Sequence, residues 1–312
     1  MDAISMIQAR CNAVTYSIVA RDPDTGALGV GVQSCFFGAG RAVPWLEAGV
    51  GAIASQAFSD RSYGSMGLDL LRAAKPAPEI LAALLLLDPG KDTRQVGIVD
   101  AAGRSAAHTG QKCVPESGHH TGDGFTAQAN MMQRPTVPAA MAEAFQTSAA
   151  AFPERLLSAL QAAEREGGDF RGQQSAALVV VEADPRRPWE GRVVDIRVDD
   201  HSEPLEELTR LLALERGYGA LEQAIGRLAE LDLDGAAPKL EEAERALPTV
   251  IEPTLIRIGL LLIAGRTDVA RNTIQAFAGD RVRLATALRR YTAANILPLD
   301  SSTLDALLTD LA

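Results

Sequence analysis

Val14-Thr15-Tyr16-Ser17-Ile18-Val19-Ala20-Arg21-Asp22 is the stretch whose reading decides the fold. It is rich in β-branched residues and ends at the turn Asp22-Pro23-Asp24-Thr25-Gly26, after which Ala27–Gln33 (ALGVGVQ) forms a second such run. Two β-type runs across a Pro/Gly turn predict a hairpin. Thr15 stands at the head of the first strand. A threonine that begins a mature chain carries its own base, because an α-amino group titrates near neutrality, at about 7.7–8.0, and can take the hydroxyl proton. Fourteen residues precede Thr15 here, so this chemistry requires a mature chain that starts at Thr15. A GTG start codon at Val14 followed by methionine trimming would give one, and so would self-cleavage. The simpler alternative is an ordinary strand threonine behind a real N-terminal segment.

Further along, Val50–Ala57 (VGAIASQA) reads as a third strand. Tyr63–Ala74 and the segment from Pro78 to about Asp88 read as helices, with proline suited to a first turn. Gln95–Asp100 and Arg104–Thr109 form another hairpin, and Phe125–Met132 a strand. Pro138–Phe145 and Pro153–Arg165 are helical, and Ala176–Glu182 and Gly191–Val198 are strands. Strands and helix pairs in this order predict a layered α+β domain; a doubly wound sheet needs strict alternation. From Pro204 the pattern is helical, with stripes at Leu205, Leu208, Leu211 and Leu212 and at Leu221, Ile225 and Leu228. Two degenerate segments, at Asp234 and Thr267, lie near the 34-residue spacing of tetratricopeptide-type helical hairpins. The expected organisation is a dispensable segment 1–14, an α+β domain over 15–200 and a small TPR-like helical domain over 201–312.

Composition narrows the function classes. The 312 residues carry a net charge of −10 with a pI near 5.0, which argues against nucleic acid or anionic lipid as partner. No apolar run approaches the roughly 18–20 residues of a membrane span. The cysteines, at 11, 35 and 113, are odd in number and far apart, so neither a disulfide framework nor a thiolate zinc site is expected. A cytoplasmic location follows as the expectation. No metal or cofactor is expected either. His119-His120 lack a third ligand at a telling interval, and no lysine follows Gly29, Gly31, Gly38 and Gly40 as a phosphate loop requires.

Around Thr15 the hairpin brings Gln33 and Ser34 near the strand head. Ser34 can hydrogen-bond the nucleophile or the amine, and Gln33 can donate to a developing oxyanion. Asn130 sits in a strand-like run against its propensity, and its amide suits an oxyanion hole. Asp22 can orient the amine or start the turn. The glycine-bracketed loop Gly168–Ser175 offers Asp169, Arg171 and Ser175, with Arg171 able to clamp a substrate carboxylate; a structural Asp169–Arg171 pair is the alternative. Thr15, Ser34, Gln33 and Asn130 are thus the candidate catalytic set, and Asp22, Asp169, Arg171 and Ser175 the candidate substrate-binding set.

The residues Thr15–Asp22, Val32-Gln33-Ser34, Arg94-Gln95-Val96-Gly97 and Gln174-Ser175-Ala176-Ala177-Leu178 together resemble the bacterial domain of unknown function 1028 family, over about residues 15–200. That family is similar to the N-terminal-nucleophile (Ntn) hydrolases. The resemblance implies a four-layer αββα sandwich, a nucleophilic threonine directly after the initiator methionine, and hydrolysis as the reaction class, without naming a substrate. The chain departs from the proteasome-like pattern in having Gln33 where those enzymes carry an acid. It also has Glu47 but no lysine in 43–52. Two functions are therefore expected as alternatives. One is an amidohydrolase with Thr15 as nucleophile, acting on a small amide or peptide-like substrate; the other is an inactive sandwich whose helical tail binds a protein partner or a second copy of the chain.

Overall fold

The computed structural model describes residues 15–184, 191–297, 299 and 301–308; the segment 1–14 lies outside the described residues. Strands β1 (Thr15–Arg21) and β2 (Leu28–Ser34) form the expected hairpin, with Tyr16 opposite Gln33. β1 pairs on its other side with β8 (Phe125–Asn130), and β2 with β9 (Ser175–Val181). The six-stranded sheet has the order β10-β9-β2-β1-β8-β7, closed at its edges by β10 (Arg192–Val198) and β7 (Gly118–Gly122). A four-stranded sheet follows the order β3 (Pro44–Glu47), β4 (Gly51–Ala57), β5 (Arg94–Asp100), β6 (Ser105–Thr109). All these pairings are antiparallel.

Strands β3 and β7 are absent from the sequence reading. Both are sheet edges, where proline and glycine are tolerated because no second ladder must be supplied. β3 is four residues long and starts on Pro44; β7 reads GHHTG and is largely exposed.

Side chains alternate faces along each strand, and each face of each sheet meets a different neighbour. On the outer face of the four-stranded sheet lie α1 (Ser62–Arg72) and α2 (Ala77–Leu87). Leu68, Leu71, Ile80 and Leu84 pack there against Ile53, Val96 and Ile98. α3 (Val137–Thr147) and α4 (Phe152–Arg165) cover the six-stranded sheet. Glycine in β2 lets α4 come close: a Cβ on Gly29 would lie 2.4 Å from Leu156 Cδ1.

The inner faces of the two sheets meet each other, and their chemistry changes along β1. At one end Val19, Val30, Val32, Ala52, Ala54 and Val99 form a dry cluster. At the Thr15 end the layer is polar. Ser17 Oγ donates to Gln56 Oε1 (2.6 Å) and accepts from Gln128 Nε2 (2.7 Å). Gln56 Nε2 and Asn130 Nδ2 both donate to Gln95 Oε1, at 2.7 and 2.8 Å. Gln95 Nε2 in turn reaches Thr109 Oγ1, Gly118 O and Ala129 O. One amide therefore ties β4, β5, β6 and β8 together across the gap between sheets.

The chain divides into two compact units between Arg210 and Leu211. From Pro204 the described residues are helical: α5 (Pro204–Ala229), α6 (Leu233–Ala246), α7 (Ile251–Ile263), α8 (Thr267–Ala276), α9 (Arg281–Ala293) and α10 (Ser301–Leu308). α6, α8 and α10 begin 34 residues apart. Leu255, Ile258, Ile274, Leu284, Leu288 and Leu304 share one apolar cluster in this region.

Two substitutions test the interlayer packing. A Cβ on Gly97 would lie 2.4 Å from both Gln128 Oε1 and Thr126 Oγ1, so Gly97→Ala is expected to lower unfolding free energy by about 1–3 kcal/mol, read by denaturant titration. Gln95→Leu strands two buried donors and three acceptors, and is expected to cost about 3 kcal/mol or more. Unchanged denaturation midpoints in both variants would contradict the network described.

Candidate active site

Thr15 heads β1 and is 5 % exposed. Together with Ser34 and Gln56 it lines a cavity of about 610 Å³, a volume within the usual range for small-molecule sites. Its hydroxyl donates to Ser34 Oγ at 3.4 Å, and Ser34 Oγ also accepts from Phe36 N at 3.1 Å. The Thr15 carbonyl is held from two sides, by Gln56 Nε2 (3.0 Å) from the four-stranded sheet and by Asn130 Nδ2 (3.1 Å) from β8. The hydroxyl-bearing residue is thus fixed by contacts from both sheets.

Each of the two clamping residues is followed by a left-handed residue that is not glycine: Ala57 (φ 61°) after Gln56 and Met131 (φ 57°) after Asn130. Such backbone is costly and clusters at functional sites. Beyond Asn130 the chain bonds on both sides. Met132 N donates to Glu116 O on the β7 side. On the β1 side Gln133 N donates to Gly168 O (2.9 Å), and Met132 and Asp169 form a bridge. Asp169 thus pairs with the continuation of β8 two residues beyond Asn130.

The sequence-derived candidates fall into three groups. Thr15 and Ser34 come together in the cavity. Asn130 reaches Thr15, but both of its N–H donors are engaged, one on Thr15 O and one on Gln95 Oε1; it positions the threonine and has no donor left for an oxyanion. Its Oδ1 is buried with no donor on it among the described residues.

Gln33 requires a correction. It pairs with Tyr16, and paired residues share a face, so its side chain points to the α4 side, where Tyr16 Oη donates to Glu164 (2.9 Å). An oxyanion at Thr15 is out of its reach. The period-2 alternation already contained this: Thr15 and Ser34 are opposite one another, so the residue before Ser34 faces away.

Asp22 lies at the opposite end of β1 from Thr15. Its carboxylate accepts from Thr25 N and Oγ1 (3.2 and 2.6 Å) and pairs with Arg155 Nη1 at 3.4 Å; it builds the turn. Ser175 is fully buried, accepts from Ala39 N (3.0 Å) and donates to Phe36 O. It staples both ends of the loop that walls the cavity and does not line the cavity itself. Asp169 and Arg171 pair with each other at 3.4 Å, and Arg171 lies over the Phe170 ring; the structural alternative is the arrangement observed. Burial, with the Asp169 carboxylate beside it, pushes the Cys35 thiol up to about 12, which disfavours its thiolate form.

Sequence reading missed Gln56, Gln95 and the charged wall. Three arginines, Arg41, Arg61 and Arg94, line the cavity, and among the described residues no Asp or Glu does. Arg94 is bonded to Asp88 (2.8 Å) and lies 3.7 Å from Asp60. That bond from Arg94 holds the Asp88 carboxyl below its ordinary range. Gln56 was visible as a polar residue in the otherwise small and apolar run VGAIASQA. Arg41 and Arg61 stand in loops with no periodic signal.

Among the described residues no helix is long and apolar enough to cross a membrane. No curated protein matches the chain significantly. The chain is similar to the crystal structure of protein SPO2555 from Silicibacter pomeroyi, a structure described as family-model DUF1028. The two share 33% identity with a TM-score of 0.58, over 64% of this chain and 88% of that one. Residues 15–208 match the family of unknown function DUF1028, with the strand that begins at Thr15 as the first residues of the match. The chain therefore belongs to the DUF1028 family.

Proposed function

We propose that this protein is an N-terminal-nucleophile amidohydrolase whose mature chain begins at Thr15, and that its paired sheets with flanking helix pairs are the αββα sandwich of that class. The observation that carries this reading is the placement of the Thr15 hydroxyl. It stands at a strand head, on the wall of a 610 Å³ cavity, with Ser34 Oγ 3.4 Å away and the backbone clamped through its carbonyl.

In the proposed reaction the Thr15 α-amine takes the hydroxyl proton as Oγ1 attacks the amide carbon. The oxyanion forms in a cavity lined by three arginines, where fixed positive charge favours it. The ammonium then protonates the departing amine, the C–N bond breaks, and an ester on Thr15 remains. Water attacks the ester, the amine takes its proton, and the acid leaves with Oγ1 reprotonated. Asn130 Oδ1, buried and without a donor among the described residues, supports this reading as an acceptor for a free Thr15 ammonium.

The amine lacks the lysine of proteasome-like enzymes. The guanidinium groups on the same cavity wall supply charge of the same sign, which favours the neutral, basic form of the amine. Within the tail α6, α8 and α10 start 34 residues apart, which supports a second role for it: a helical-repeat surface that engages a protein partner.

A chain whose first residue is Thr15 is expected to hydrolyse members of a panel of short acylated amines and acyl amino acids. Thr15→Ala is expected to reduce the rate by about 10³-fold or more, and Thr15→Ser to retain part of it. Intact mass of the protein from its native host is expected to start at Thr15. An alanine variant as active as the parent would end the proposal.

A further inference from the structure

The chain carries a net charge of −10, yet the cavity at Thr15 is lined by arginine and, among the described residues, by no acidic residue. This local reversal of sign suits an anion. Arg94 already has one in Asp88, at 2.8 Å. The nearest other carboxylate, Asp60, accepts from Ser62 N at the start of α1 (2.9 Å) and lies 3.7 Å from Arg94. Arg41 and Arg61 have no carboxylate partner among the described residues.

Two geometric facts describe these guanidinium groups at the cavity. The Arg41 guanidinium carbon sits 5.2 Å over the Phe37 ring, a cation–π contact that keeps its N–H edges available. Arg61 immediately precedes α1, so its charge stands beside the positive end of that helix. Phe36 and Phe37 are exposed at 38% and 46%, and both line the same cavity with Phe58. Apolar rings beside unpaired guanidinium groups make an amphiphilic wall.

We propose that Arg41 and Arg61 form the anion subsite of this cavity, and that its ligand is a carboxylated amide with an aromatic or branched apolar group seated against Phe36, Phe37 and Phe58. A carboxylate suits the site because guanidinium groups bind it in plane through paired N–H donors, and because the rings call for an apolar group next to the charge. The proposal deepens the amidohydrolase reading by naming its substrate class. It replaces Arg171, which does not line the cavity, as the carboxylate-binding residue.

Binding is read by calorimetry on the full chain and on its Thr15→Ala variant, so that the result does not depend on hydrolysis. The probes are benzoylglycine, N-acetylphenylalanine and N-phenylsuccinamate, each beside the neutral carboxamide that replaces its carboxylate. At least one carboxylate is expected to bind about tenfold or more tightly than its carboxamide. Arg41→Gln and Arg61→Gln are each expected to remove most of that difference, and Arg→Lys at either position to restore part of it. Both residues are exposed, so the variants are expected to keep the parent's thermal midpoint, which is checked alongside.

Equal binding of carboxylate and carboxamide, no saturable binding of any carboxylate at millimolar concentration, or glutamine variants that match the parent would each overturn the proposal. Inorganic phosphate binding as tightly as the best carboxylate would overturn the assignment to a carboxylated amide. Carboxylate binding in a protein whose Thr15→Ala variant keeps full activity would sink the nucleophile and leave the subsite standing.

Discussion

The rest of the structure depends on one constraint: polar side chains buried between two sheets must find partners within the layer. An amide or hydroxyl taken out of water without a partner costs several kcal/mol, and five residues with such groups, Ser17, Gln56, Gln95, Gln128 and Asn130, are at most 1 % exposed. Their N–H and O–H groups close on one another and on backbone carbonyls, and the acceptors Gln128 Oε1 and Asn130 Oδ1 are left without a donor among the described residues. The solution is specific to one register. A slip of β1 by one residue would turn Tyr16 into the layer and Thr15 out of it, leaving the Gln56 and Asn130 donors without the carbonyl they hold. The dry cluster around Val19 and Val99 supplies hydrophobic stabilisation at one end of the layer, and the amides at the other end decide which residue stands at the cavity.

That arrangement carries a local backbone cost. Ala57 and Met131 adopt left-handed conformations at roughly 1–3 kcal/mol each, and each directly follows a residue that clamps Thr15. Their effect is to turn β4 and β8 away from the ladder at the level where β1 begins. On the β8 side the departure admits Asp169 beside Met132. On the β4 side it brings Phe58, Ser59 and Arg61 to the cavity. The same two kinks that end the sheets therefore open the space in front of the threonine.

Much of this was legible in the sequence, and its limits are physical. The hairpin of β1 and β2 and the facing of Thr15 and Ser34 follow from a turn signal and alternation, which are local. Asn130 stood out because asparagine opposes strand propensity, although its donors proved to be spent on position. Gln33 was misassigned by adjacency when parity argued the other way. Gln95 lay inside a quoted motif, but its role depends on five partners, three side chains and two carbonyls, distributed over four strands, and no periodicity encodes such a set. Ser175 was found as a polar residue before an apolar strand; its task, fastening the Phe36–Ala39 loop 136 residues away in sequence, is tertiary. Arg41 and Arg61 belong to loops, where spacing carries no information about which charges converge.

The missing lysine bears on how an amine base would be tuned here. A lysine favours the neutral amine through its charge, and a guanidinium does the same without any tendency to lose its own proton. Arginines that also bind the ligand add a consequence that a dedicated lysine would not. In a chain that begins at Thr15 their charge would favour the neutral amine while the cavity is empty, and a carboxylate settling on Arg41 and Arg61 would partly compensate that charge and raise the amine's basicity as it takes the Thr15 proton. Interactions of this kind survive over about one Debye length, roughly 8 Å at physiological ionic strength, and less screening acts inside a cavity that a ligand has emptied of water. On this reading the anion is recognised and the base is switched by the same two side chains, which ties the choice of substrate to the onset of chemistry.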